Sequence, residues 1–313
     1  MTIPANARRR PASLRRSWLF TAGLDHAAHR QAQDSGADVV VADLEEFTAA
    51  ADRPQARERI VDLMAACRGH GIVAAVRINL LANGGLDDLR AVMRGAPDVI
   101  FLPYVENAQQ IHALERAIAA CETAQGLASG STEIVPTLES ALGIIQAREI
   151  LLASDRISAG LLAAEDLTAD LGAERGPDST ELNHLRARFL VDCVAARRVA
   201  IDCPFNYRDA TAQAADLVWA RRIGLKAKCT VFPQQVQAIH AALTPGAHAV
   251  LAARATVALF ESARHGTAQP GSDAPTPVDP PDYHTARRLL ARHDAFRNWT
   301  ACMDSIKSQR ELT

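Results

Sequence analysis

A chain of 313 residues with 48% hydrophobic and 4% aromatic side chains carries enough apolar material for a large buried core. Its formal net charge of −2 offers no field to recruit nucleic acid or a membrane surface, and no apolar run approaches the roughly 20 residues that span a bilayer. The six cysteines are scattered without a CxxC pair, which argues against a disulfide frame or zinc site and predicts buried thiols in a reducing cytoplasm.

Residues 1–16 hold Arg8, Arg9, Arg10, Arg15 and Arg16 and no acid. Strand-like sequence begins by Trp18, so this stretch reads as a solvated arm and not as a cleaved leader. From Trp18 to Ala242 strands and helices alternate. The predicted strands are Trp18–Phe20, Val39–Ala42, Val73–Ile78, Val99–Leu102, Ile134–Leu138, Ile157–Leu162, Val199–Ile201 and Lys228–Phe232. Most are short and rich in Val, Ile and Leu without alternation, as strands buried on both faces should be. Predicted helices include Arg57–Arg68, Ala108–Cys121, Glu181–Arg197 and Ala212–Ile223. Another helical pattern, with Ile144, Ile145, Ile150 and Leu151 on its apolar face, joins the fifth and sixth strands.

Eight strands, each followed by a helix, predict an α/β (β/α)₈ TIM barrel over residues 1–245. An open doubly wound sheet is the alternative, and the lack of a GxGxxG after any strand counts against a dinucleotide fold. Beyond the barrel, His248–Arg264 reads as a helix, Gly266–Asp282 as a Pro- and Gly-rich link, and Tyr283–Phe296 as a last helix. Residues 246–313 are thus expected to form a C-terminal helical extension.

In a parallel barrel the carboxyl ends of the strands form the functional face. Here they carry Asp43-Leu44-Glu45-Glu46, Arg77-Ile78-Asn79, Glu139, Glu165-Asp166 and Asp202. Gathered at one end, Asp43, Arg77, Glu139 and Asp166 would hold a cation and an anionic small molecule. Plainer readings stay open. Asp43 and Asp202 could cap helices, Glu139 could sit at a helix N-terminus, and Arg77 could be a structural ion-pair partner.

These strand ends also resemble a known family. Arg16-Ser17-Trp18-Leu19-Phe20 resembles the opening R-S-x-L-F of the HpcH/HpaI aldolase and citrate lyase β-subunit family. Val41-Ala42-Asp43-Leu44-Glu45-Glu46, after Gly36-Ala37-Asp38, resembles its G-A-D…D-L-E-D, and Val76-Arg77-Ile78-Asn79 its V-R-V-N. Leu138-Glu139-Ser140-Ala141 is similar to I-E-T-A, Ala164-Glu165-Asp166-Leu167 to G-x-D-L, Ala200-Ile201-Asp202 to A-I-D, and Phe232-Pro233-Gln234-Gln235 to H-P-x-Q. Their shared order and spacing are more specific than any one of them. Departures are Tyr104 where the family usually has Lys, Glu46 for its final Asp, and Phe232 for its His.

The resemblance implies a barrel of the phosphoenolpyruvate/pyruvate-binding type that handles a Mg²⁺-chelated (or Mn²⁺-chelated) 2-oxo acid. Glu139 and Asp166 would be the metal ligands, Arg77 would bind carboxylate, and Asp43 would lie one step behind the metal, on its water, with Glu45 nearby. Asp279, in Thr276-Pro277-Val278-Asp279-Pro280-Pro281, resembles the Asp of the family's M-I-D-x-P lid, which implies a proton donor over a neighbouring subunit's site in a trimer or hexamer. Arg16 and Phe20, expected at the barrel mouth, are the candidates for contacting coenzyme A. The implied reaction cleaves a carboxylate-bearing 3-hydroxyacyl-CoA of the malyl-, citramalyl- or citryl-CoA type into an acyl-CoA and a 2-oxo acid. Two alternatives are a CoA-independent class II aldolase acting on 4-hydroxy-2-oxo acids, and a citrate lyase β-subunit acting on a carrier-protein thioester. Lys226 and Lys228 precede or begin strand eight, which disfavours a Schiff-base aldolase.

Overall fold

Eight short parallel strands close on themselves. They are β1 (Ser17–Ala22), β2 (Val39–Asp43), β3 (Val73–Arg77), β4 (Val99–Leu102), β5 (Glu133–Leu138), β6 (Ala159–Leu162), β7 (Val199–Asp202) and β8 (Ala227–Thr230). Each pairs with its sequence neighbour, and β1 pairs with β8, so the sheet has no free edge. The computed structural model describes residues 9–264 and 278–311, with side chains of the last helix described to Ile306. Arg8 and residues 266–277 of the Pro-rich link lie outside the described residues.

Helices α1 (His26–Asp34), α2 (Arg53–His70), α3 (Gly85–Val92), α4 (Ala108–Ala124), α5 (Ala141–Ile145), α6 (Ala147–Leu152), α7 (Ala164–Leu171), α8 (Thr180–Ala195), α9 (Ala210–Ile223) and α10 (Val236–Leu243) alternate with the strands. This is the TIM-type (β/α)₈ barrel that the alternation predicted. The single helix expected around Ile145 is two, broken at Gln146, and Ile145 is 73% exposed while Ile144, Ile150 and Leu151 are buried.

Two buried clusters show which way each strand faces. One contains strand residues only, among them Trp18, Phe20, Val41, Ala75, Phe101, Val135 and Cys229. The other mixes strand residues such as Val40, Ala42 and Ala74 with helix residues such as Ile60, Leu63 and Ile118. The first fills the barrel and the second joins the helices to its outer wall, as a period of two along each strand requires. Continuing the inward parity past Val41 and Ala75 leads to Asp43 and Arg77. On β5 it passes Val135 and Thr137 and reaches Glu139. The barrel's own alternation therefore delivers these three side chains to its carboxyl end.

At the opposite end lie residues 9–16, the described part of the arm that the sequence suggested was solvated. Arg15 is 1% exposed. Its guanidinium grips Glu133 at 2.6 and 2.8 Å, its Nε donates to the Arg10 carbonyl at 2.8 Å, and it lies over the Trp18 ring. Arg9 meets Asp98 at 2.7 Å, and Arg16 holds both oxygens of Asp38 at 2.9 Å. Asp38 and Asp98 lie just before β2 and β4, and Glu133 opens β5, so these acids mark the amino ends of the strands. Unmatched arginines in a sequence look solvated until the fold brings distant acids to them.

Asp202 and Lys228 have the outward parity. Lys228 Nζ lies 2.8 Å from Asp202 and 2.8 Å from Asp216 of α9, and Arg186 of α8 reaches the same two acids at 2.6 and 2.7 Å. Burial would lower the lysine pKa, but Asp202 and Asp216 raise it above its ordinary value. Asp202 is therefore neither a cap nor a site residue, and Lys228 faces away from the barrel interior. Lys228→Met should destabilise the protein by about 3–5 kcal/mol, because it leaves two buried carboxylates with one cation. A shift in the urea midpoint measures this, and an unchanged midpoint would contradict it.

The chain divides between Leu243 and Thr244 into two compact units. The second contains α11 (Ala247–Arg264) and α12 (Pro280–Glu311), where Phe260 stacks on Tyr283 at 4.3 Å. The stretch Pro233–Arg264 reaches a mean hydropathy of 1.2 and by length and composition alone could cross a membrane. It is not one helix, because the chain breaks at Thr244-Pro245-Gly246 between α10 and α11.

Candidate active site

The turn after β2 is built around Asp43, which is fully buried. Its Oδ1 accepts from the Glu45 amide at 3.0 Å and from Arg77 Nε at 2.8 Å; its Oδ2 accepts from the Phe47 amide at 3.0 Å and an Arg77 terminal nitrogen at 2.6 Å. Thr48 ties the turn down by donating to the Asp43 carbonyl at 2.6 Å. The Gly23 amide in turn donates to Thr48 at 3.0 Å. A Cβ on Gly23 would come to 3.0 Å from that hydroxyl and 3.2 Å from the Asp43 carbonyl, so the close approach favours glycine. Four donors thus share the two oxygens of Asp43. In the fold, Asp43 positions Arg77 and the turn.

Arg77 is 5% exposed. Burial opposes its charge, but the bidentate bond and charge of Asp43, with Glu45 and Glu139 nearby, hold its pKa above the ordinary value. Its guanidinium also lies 3.2 Å from Glu45 and 3.2 Å from Glu46, and over the rings of Phe20 and Phe47. Asp43 takes one edge of the fork. The remaining terminal nitrogen meets Glu45, and Arg77 lines a cleft of about 200 Å³.

Glu139 and Asp166 line the same cleft. Glu139 ends the inward row of β5, and the hydroxyl of Ser140, which caps α5, leads the chain away from it. Asp166 comes from the first turn of α7. Glu139 is 2% exposed, and burial pushes its pKa up to about 8; Asp166 and Glu45 add to that rise against Arg77 and the Tyr104 amide. Burial also raises Glu45, reinforced by Asp43, Glu46 and Asp166. Asp43, Glu45, Glu46 and Glu139 thus crowd one arginine, with Asp166 beside them, an arrangement that favours uptake of a proton or a cation.

Glu165, the other acid of its pair, also lines the cleft, where it accepts from Asn206 at 2.8 Å and lies 3.4 Å from Arg175. Among the described residues no three His, Cys, Asp or Glu side chains form a closed metal cage. A hard dication needs none, since Mg²⁺ is usually held by one or two carboxylates with waters and substrate oxygens completing its octahedron. The donor set of Glu139 and Asp166, all oxygen and short of countercharge, fits such an ion.

Of the residues expected to meet coenzyme A, Phe20 lines the cleft. Arg16 precedes β1 and pairs with Asp38 before β2, so it lies at the amino end of the barrel and not at its mouth. Asp279 caps α12: its Oδ1 accepts from the Asp282 amide at 2.9 Å, and its side chain is exposed. Pro280 and Pro281 open that helix instead of holding an extended segment, as their fixed φ allows. Pro277 lies outside the described residues.

Sequence reasoning missed the contributions of Tyr104, Phe47 and Asn206. Tyr104 follows β4 with φ +48°, a left-handed conformation that costs a non-glycine residue roughly 1–2 kcal/mol. Its amide donates to Glu139 at 2.6 Å. Asn206 lies four residues past β7 and was reachable by extending the strand-end inventory into the loops. A larger groove of 680 Å³ on the outer face of α9 is lined by Ala214, Ala215, Val218, Trp219, Arg222 and Ile223, without an acid or a nucleophile.

Comparison with known proteins agrees with this geometry. The signature of the HpcH/HpaI aldolase/citrate lyase family matches residues 16–226. Citrate lyase subunit beta of Escherichia coli K12 is 33% identical over 295 residues, covering 93% of this chain and 97% of that protein. L-malyl-CoA/beta-methylmalyl-CoA lyase of Rhodobacter capsulatus is 29% identical, covering 81% and 86%. Among solved structures, CitE from Mycobacterium tuberculosis in complex with magnesium, acetoacetate and coenzyme A superposes with a TM-score of 0.69 at 25% identity, over 90% of this chain and 99% of that one. The closed barrel, its strand-end motifs and these relatives together place the chain in the HpcH/HpaI aldolase/citrate lyase family, as a carbon–carbon lyase.

Proposed function

We propose that the protein is a Mg²⁺-dependent lyase that cleaves a carboxylate-bearing 3-hydroxyacyl-CoA into an acyl-CoA and a 2-oxo acid. The observation that carries this reading is the pairing of Glu139 and Asp166 beside Arg77 in one cleft at the carboxyl end of the barrel. The magnesium, acetoacetate and coenzyme A bound by the CitE relative support the same chemistry here.

Cleavage requires the hydroxyl to lose a proton and the departing carbon to be held as an enolate, which a thioester delocalises. Glu139 and Asp166 would hold the ion, which when bound supplies a Lewis-acid charge beside the hydroxyl and carboxylate of the substrate. Arg77, locked in plane by Asp43, binds the substrate carboxylate through the part of its fork that Asp43 leaves. Glu45, kept ionised by Arg77 at 3.2 Å but with its proton affinity raised by burial, takes the hydroxyl proton. Phe20 and Phe47 exclude water from one wall. Asp279 serves as the acid for the enolate carbon, delivered by the C-terminal unit as a lid within a homotrimer or hexamer; the M-I-D-x-P resemblance supports this.

A panel of malyl-, methylmalyl-, citramalyl-, citryl- and hydroxymethylglutaryl-CoA, assayed with Mg²⁺ for free 2-oxo acid, tests the reading. Turnover of at least one ester is expected, with little on the free hydroxy acids. Equal turnover of free acids and esters would contradict it and favour the CoA-independent aldolase. The relatives named citrate lyase subunit beta favour a second reading, in which the thioester is carried by a partner protein. Capture of an acyl carrier protein, with no turnover of free CoA esters, would select it.

Arg77→Lys should raise the apparent KM for the 2-oxo acid in the condensation direction by tenfold to a hundredfold. That corresponds to roughly 1.5–3 kcal/mol for a charged, hydrogen-bonded partner. Unchanged kinetics would make Arg77 a purely structural partner of Asp43.

A further inference from the structure

We infer that the cleft selects a 2-oxo acid with one carboxylate and a small alkyl group, and rejects one with a second carboxylate; this rests on the lyase reading above. In the cleavage direction the same selection favours a citramalyl-type ester over a citryl-type one.

Charge accounts for the rejection. Among the described residues that line the cleft, Arg77 is the one cation, set against the acids Glu46, Glu139, Glu165 and Asp166. Glu139 and Asp166 balance the charge of a bound dication, which leaves Arg77 for one substrate carboxylate. It has no capacity for another, because Asp43, Glu45 and Glu46 already lie within 3.2 Å of it. Two further arginines stand near the cleft without entering its lining. Arg175 lies 2.6 Å from Glu181 and 3.4 Å from Glu165. Arg208 lies over the Phe232 ring, 5.3 Å from its centre. The Asn206 amide does line the cleft, but it donates to Glu165 at 2.8 Å. A second substrate carboxylate would therefore meet acids of like charge or an apolar surface, and an unpaired charge is costly to bury.

Apolar side chains account for the preference. Phe20 of β1, Leu161 of β6, Cys229 of β8, and Val231 and Phe232 just past β8 all line the cleft. In the closed barrel β8 and β1 adjoin, and they stand across from β4 and β5. Most of this wall thus faces Glu139, which follows β5. A substrate whose carboxylate and oxygen are held on the side of Glu139, Asp166 and Arg77 presents its remaining substituent to the wall. A methyl group gains there by burial, whereas a carboxymethyl group loses its hydration and finds no donor in return. A second cavity of about 240 Å³ shares Phe20, Phe47 and Val231 with the cleft, and none of its lining side chains is charged.

Two measurements on the full chain with Mg²⁺ test this. Calorimetry compares its affinity for pyruvate and for oxaloacetate, and a condensation assay with acetyl-CoA compares kcat/KM for the two. Products are identified by mass, since oxaloacetate sheds CO₂ to give pyruvate. Pyruvate should bind at least about tenfold more tightly and react roughly 100-fold more efficiently. Equal or better use of oxaloacetate in either measurement would overturn the selection and leave the lyase reading standing. Selective binding of pyruvate without condensation of either acid would support the selection and remove the CoA-lyase reading. Binding of neither acid would remove both. Phe232→Arg places a cation in the partly exposed end of the wall and should move the affinity ratio toward oxaloacetate by about tenfold. An unchanged ratio, in a variant that keeps the wild-type thermal midpoint, would overturn the assignment of the selection to this wall.

Discussion

Glu139→Gln should lower metal affinity by more than about 100-fold and turnover on the order of 10³. The geometry makes the amide a poor replacement. The Tyr104 N–H requires an acceptor at 2.6 Å, so it selects the amide oxygen and turns the NH₂ group toward the other acids of the site. A donor then stands where a cation needs an oxygen lone pair. Calorimetry with Mg²⁺, together with the CoA-ester assay in EDTA, measures both effects. Full activity in EDTA, with no metal in the purified protein, would remove the metal site altogether.

The acidity of Glu139 adds a pH dependence whose sign is fixed. In the metal-free fold its carboxyl is raised from an ordinary 4.5 to about 8, chiefly by burial. The protonated form is favoured in the fold, so that contribution to stability is complete below about pH 4.5 and is lost as pH rises through about 8. Metal must displace this proton, so apparent affinity should climb as pH rises toward 8 and then level off. Affinity that is flat across this window would show that Glu139 is not a ligand.

Asp279→Asn should lower turnover by roughly 10²–10⁴ while leaving the fold and metal binding intact. The substitution is clean because of where the residue sits. Asp279 caps α12 by accepting from the Asp282 amide, and asparagine is an equally good cap. What is lost is the carboxyl proton, and with it the group proposed to protonate the enolate carbon. If that group acts across subunits, mixing Asp279→Asn with Glu139→Gln protein should restore part of the activity, since some sites receive both intact halves. No restoration in verified mixed oligomers would place the acid in its own subunit. Near-normal turnover of Asp279→Asn alone would leave the residue as a helix cap and nothing more.

The amino-acid sequence by itself determined the barrel and much of its functional end. Short apolar runs at regular intervals are local signals, and a parallel barrel has one carboxyl face. Arg77, Glu139 and Asp166 could therefore be read as neighbours without coordinates. Tertiary structure decided everything that depends on which side of a strand faces inward and on partners far away in sequence. Asp202 and Lys228 looked like strand-end charges, but their parity turns them outward into a pair of buried ion bridges with Arg186 and Asp216. Arg16 belonged to a recognisable motif, yet its place before β1 puts it at the far end of the barrel, against Asp38. The arm looked solvated because Glu133, which neutralises Arg15, lies 118 residues away. Tyr104 looked like a simple substitution, because a left-handed backbone in a tyrosine has no local signature and is held by the hydrogen bond from Gln110 to its carbonyl, by its own amide's bond to Glu139 and by the Val105 amide's bond to Thr137. Charge pairing and backbone strain are settled by three-dimensional neighbours, and a linear pattern records only which residues are available to meet.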